Sequence, residues 1–116
     1  MSKIADLVPP WELCREIPEG EFEDTVFLWG EATVNGENRV YLIQRYSYAC
    51  KHPEWEKLYP APTLQEVMAA FPYCRVYKKT HNFYIAAVDQ EREVSFDAAT
   101  AALKLWLKLK GIKYEK

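Results

Sequence analysis

Asp97-Ala98-Ala99-Thr100-Ala101-Ala102-Leu103-Lys104-Leu105-Trp106-Leu107-Lys108-Leu109-Lys110-Gly111 is the stretch on which the fold turns. At about 100° per residue, Asp97, Thr100, Lys104 and Lys108 fall in one polar stripe, while Ala98, Ala102, Leu105 and Leu109 face away from it. Ala99, Leu103, Trp106 and Leu107 fill one side. The pattern predicts a helix from Ser95 or Asp97 to Lys110, with Gly111 placed for a left-handed cap and Ile112 placed to fold back on it. A helix lying on one sheet needs an apolar arc of only a little over about 100°. This one needs cover on two sides, from its own domain or from a second subunit. Burial of Leu103, Trp106 and Leu107 should contribute several kcal/mol, at about 1.5 to 3 for each side chain. A homodimer through this helix is the expected cover, with Trp106 near its own copy, and a helix starting at Thr63 is the intrachain alternative.

Working back from that helix, Asp89 to Glu93 reads as a charged turn, and Tyr73 to Lys79 with Asn82 to Val88 reads as a hairpin around Thr80-His81. Thr63-Leu64-Gln65-Glu66 is a capping box ahead of the apolar stripe Leu64, Val67, Met68 and Phe71, and Pro72 ends that helix. Residues 47 to 62 form a long connection rich in aromatics and prolines, and loops of that length are often functional. Asn35-Gly36 between two β-branched and aromatic runs, Thr25 to Thr33 and Arg39 to Tyr46, is the strongest short-range hairpin signal available. Glu19 to Asp24 reads as an acidic surface loop, and Trp11 to Ile17 between Pro10 and Pro18 as a helix of about two turns. The expected fold is α+β, one domain over residues 1–116, with two β-hairpins and three helices in the order α-β-β-α-β-β-α. Leu13, Ile17 and Pro18 share their spacing with Val67, Phe71 and Pro72, a match of three positions that is too short to establish a duplicated α-β-β unit.

The 116 residues are 49% hydrophobic, 28% charged and 15% aromatic, the composition of one globular domain large enough to fold without metals or disulfides. No apolar run reaches the roughly 18 residues of a membrane span, and the odd cysteine set Cys14, Cys50 and Cys74 fits a reducing compartment, so a cytoplasmic protein is expected. Residues 1–72 are net acidic and residues 73–116 net basic, which a folded chain neutralises internally. A pI near 5.7 argues against bulk nucleic-acid binding.

Tyr59-Pro60-Ala61-Pro62-Thr63-Leu64-Gln65-Glu66-Val67 and Ala98 to Gly111 resemble stretches of small uncharacterised proteins from phages, prophages and other mobile elements of gut bacteria. The resemblance implies a genomic setting. Those proteins carry no established activity, so it transfers no catalytic residue.

Four glycines and no phosphate-loop, Gly-x-Ser-x-Gly or His-Glu-x-x-His motif leave the known enzyme signatures unmatched. Cys50 with His52, and Cys74 with His81, lack the close Cys or His partners of a zinc site, so neither metal nor cofactor is expected. Cys14 and Cys74 look packed. Cys50 beside Lys51-His52 is the one thiol whose neighbours could lower its pKa, and a small enzyme with a reactive Cys50 is the rival class. Arg75, Lys78 and Lys79, interleaved with Tyr73, Tyr77, Phe83 and Tyr84, could contact an anion, but a basic edge that deters strand pairing is the favoured explanation. Tyr41, Tyr46, Tyr48, Trp55 and Tyr59 form either a docking surface or a cover for the open face of a sheet. The function expected from these features is a non-enzymatic protein-interaction module, with a weak nucleic-acid module on the basic hairpin as the further alternative.

Overall fold

The computed structural model describes residues 8–45, 55–71, 73–80 and 83–112. Its elements run α1 (Trp11–Cys14), β1 (Phe27–Val34), β2 (Glu37–Gln44), β3 (Lys57–Ala61), α2 (Leu64–Ala69), β4 (Arg75–Thr80), β5 (Phe83–Val88), β6 (Glu91–Ser95) and α3 (Ala98–Leu109). The strands make two antiparallel three-stranded sheets, ordered β2-β1-β3 and β4-β5-β6, so the fold is α+β.

Both expected hairpins form, and each gains a strand. Asn35 (φ 53) and Gly36 (φ 80) are both left-handed, as the tight turn between Val34 and Glu37 requires. The third strand of the first sheet, β3, lies inside the stretch read as a long connection. It carries Pro60, which has no N–H for a ladder, and accordingly sits at a sheet edge beside β1. The third strand of the second sheet, β6, takes up most of the expected charged turn. Only Asp89 and Gln90 turn, with Asp89 left-handed (φ 53), and Glu91-Arg92-Glu93 pairs with β5. The element order therefore repeats as α-β-β-β, but the third strand joins β1 in one sheet and the middle strand β5 in the other. The two units are wired differently.

α2 starts on the expected box: Glu66 N–H donates to Thr63 Oγ1 at 3.3 Å and Thr63 N–H donates to Glu66 Oε1 at 2.8 Å. The second carboxylate oxygen accepts from Val26 N–H at 3.0 Å, tying α2 to the start of β1. α1 is one turn only, since Arg15 closes it and Pro18 stops any continuation. α3 is capped at both ends. Asp97 accepts from Thr100 N–H at 2.8 Å, while Gly111 (φ 76) lets its own N–H reach Lys108 O and Ile112 N–H reach Leu107 O, closing a Schellman motif.

The cover that α3 needs on its second side is found within the chain, the alternative offered by the helix from Thr63. Leu103 and Leu107 are fully buried and Trp106 is 4% exposed, all within one chain. The second sheet covers one side of α3, and α2 with α1 cover the other. Phe22, from the loop read as a solvated linker, lays its ring 4.9 Å from that of Trp106. The acidic pattern around Phe22 concealed a side chain that serves the core. One apolar cluster runs from Phe27 and Ala61 of the first sheet through Leu13 and Val67 to α3 and Ala86 of the second. No helix among the described residues is long and apolar enough to cross a membrane.

Candidate functional site

Strand alternation divides the second sheet into two different faces. Val76, Tyr84, Ala86 and Val88 point toward α3 and join the core or pack against it. Glu91 and Glu93 share that side, where Lys108 Nζ of α3 lies 3.1 Å from one carboxylate and 3.4 Å from the other. The period of two then turns their neighbours the other way. Register places Arg75, Ala87 and Arg92 in one row across the three strands, and Tyr77, Ile85 and Val94 in the next. Phe83 lies beside Phe96, just past β6, with ring centroids 5.0 Å apart and planes at 30°.

Among the described residues, no helix covers this outer face. Tyr77 (43%), Phe83 (40%), Val94 (46%) and Phe96 (73%) are exposed, although Ile85 and Ala87 between them are buried. Tyr73, two residues before Arg75, is the most exposed large apolar residue described, at 85%. Arg75 and Arg92 are exposed, and neither has an ion-pair partner among the described residues. Both carboxylates of β6 are engaged on the opposite side, so the formal charges on the open side of the three strands are positive. The edges of the sheet are guarded. A register shift between Lys78 and Thr80 bulges β4, and β6 begins with three charged residues, both devices that discourage strand addition.

Of the expected anion contacts, only Arg75 stands in a row of this face. Lys78 falls on the α3 side, its Nζ 6.0 Å from the centre of the Tyr84 ring, and Lys79 sits exposed in the bulge. Arg92 was missed because residues 89–93 read as a turn, and Val94 and Phe96 because the stretch between that turn and the helix start at Ser95 or Asp97 was assigned no strand. The alternation Glu91-Arg92-Glu93-Val94-Ser95 was the signal that could have found them.

The aromatic set of the first sheet does not form one surface. Tyr41 and Trp55 meet edge to face at 5.7 Å on one side, where Trp55 lies so close to Gly30 that a Cβ there would be 2.7 Å from its ring. Tyr59 is on the other side, 6.2 Å from Trp11. Tyr46 and Tyr48 lie outside the described residues, as do Cys50, His52 and His81. Leu103, Trp106 and Leu107 are core residues.

Cys14 and Cys74 are buried, and burial pushes both thiols up from their ordinary value, which disfavours the thiolate that nucleophilic chemistry needs. Among the described residues no three His, Cys, Asp or Glu side chains converge to hold a metal. A groove of about 570 Å³ opens between the loop after α1 and β3, lined by Arg15, Arg45 and Lys57 together with Glu19, Glu21 and Glu23. Its charges oppose one another, and Arg45 already donates to Thr25 O at 2.6 Å and Thr25 Oγ1 at 3.2 Å. No protein-family model, curated protein or solved structure matches the chain.

Proposed function

We propose that this chain is a non-enzymatic protein-interaction module that docks its partner on the open face of the second sheet. The observation that carries the reading is the exposed apolar surface of Tyr77, Phe83, Val94 and Phe96 beside two arginines that have no ion-pair partner among the described residues. Aromatic rings and arginine are the residue types that dominate interface energetics. The guarded edges favour recognition through the face rather than by strand addition. A photocrosslinking residue at Phe96, compared with one at the exposed Arg39 of β2, tests it in expressing cells. A protein captured at Phe96 alone, and bound by the purified chain but not by Phe96→Ser, is the expected result. Equal capture at both positions, or none at Phe96, overturns it. A hydrolase activity lost on alkylation of Cys50 would replace this reading with the enzyme class. The resemblance of residues 59–67 and 98–111 to proteins of phages and other mobile elements supports a mobile-element origin, which the neighbouring genes of the source genome test.

A further inference from the structure

We infer that the partner segment seated on this face is acidic: a protein segment with carboxylates over the Arg75–Arg92 row and apolar side chains over the rows of Val94 and Phe96. The inference rests on the docking function just proposed and adds the chemistry of the occupant. The argument begins with β6. Its alternation sends Glu91 and Glu93 to Lys108 on the α3 side and leaves Arg92 alone on the open side. Across Ala87 stands Arg75, so two guanidiniums flank one small buried residue. Two strand spacings separate their backbones by about 10 Å, and each row lies about 7 Å from the next along the strands. Guanidinium forks take carboxylates bidentately, and desolvation beside aromatic rings strengthens such pairs.

The distribution of charge selects among anionic occupants. A nucleic-acid strand gains affinity from cations that track its backbone, whereas here they stand in one row at one end and the other rows are apolar. A second copy of the chain would bring four unpaired arginines into one interface with no carboxylate from either open face to meet them. An acidic segment with apolar neighbours satisfies both parts of the surface.

Selection of random displayed peptides on the purified chain tests this, followed by anisotropy titration of the enriched sequences. The expected peptides carry clustered Asp or Glu beside aliphatic or aromatic residues. Their binding should weaken about tenfold or more in Arg92→Glu and in Arg75→Glu, weaken with salt, and be unchanged in Arg39→Ala. Phe96→Ser should also abolish it, with circular dichroism confirming that each variant is folded. Enriched peptides that are basic or uncharged, lost in Phe96→Ser but indifferent to Arg92→Glu, overturn the acidic occupant and leave the docking face standing. Enrichment insensitive to every one of these substitutions, or no enrichment, overturns both. An oligo-dT strand of about 15 nucleotides bound more tightly than about micromolar near 0.15 M salt, and released by Arg92→Glu, would make the occupant nucleic acid. Concentration-dependent dimers in sedimentation that vanish in Phe96→Ser would make it a second copy.

Discussion

Phe22 holds a left-handed backbone (φ 55), a conformation that an aromatic residue adopts only when its surroundings compel it. The compulsion is Trp106, whose ring it meets on one side while Lys110 Nζ lies 5.5 Å from the ring centre. Phe22→Ala should therefore cost about 2–3 kcal/mol, somewhat below the loss for a fully buried phenylalanine, read as a lower urea midpoint. A change under about 0.5 kcal/mol would show that the loop is not part of the core. Cys14 gives a second test at this scale. Burial raises its thiol above the ordinary 9.0, so the unfolded chain ionises first and the native state retains the proton. Stability is then intact below that value and falls above it, by up to about 1.4 kcal/mol per pH unit from this one group. Cys14→Ala should flatten the fall in urea midpoint between pH 9 and 11 relative to the parent, whereas parallel slopes would contradict the burial argument. The packed state of Cys14 was legible from its apolar neighbours. The role of Phe22 was not, because five of the six residues from 19 to 24 are acidic or glycine and no period marks the sixth as buried.

Elements were legible where the chain carries its own punctuation. Thr63-Leu64-Gln65-Glu66 announced α2, Asn35-Gly36 announced the first turn, and Asp97 with Gly111 bracketed α3. What the local pattern did not contain was the reach of Glu66 to Val26, 40 residues away. Its consequence can be measured: Glu66→Ala removes acceptors from two backbone donors and should cost about 1–2 kcal/mol, against about 1 for Thr63→Ala, which removes one. Equal losses would show that the Val26 contact contributes nothing. β3 and β6 escaped the sequence reading for opposite reasons. Pro60 argues against a strand unless the strand is an edge, and β6 replaces hydrophobic alternation by an alternation of charge that only Lys108 makes meaningful. Half of the candidate face was lost with β6.

At the scale of the molecule, α3 is the element on which the others converge. The second sheet packs on it directly, and the first reaches it through α1 and α2. Leu103→Ala, at a site with no exposed surface, should cost about 2–5 kcal/mol and lower the far-ultraviolet and tryptophan transitions together. Separate transitions would mean that the two sheets are stabilised independently. The two-sided apolar helix was plain in the sequence, and the capped helix from Thr63 was legible as one cover; the shares of the Phe22 loop and of α1 were not, because the loop carries no periodic apolar pattern and α1 is only a single turn. This arrangement also sets an order of events on the ribosome. The segments that leave the exit tunnel first include both sheets, and the helix on which the second packs directly, and the first through α1 and α2, leaves after them. A nascent chain halted before Asp97 lacks the helix that covers Val67 and Ala86, so it should present apolar surface to chaperones and proteases until α3 follows.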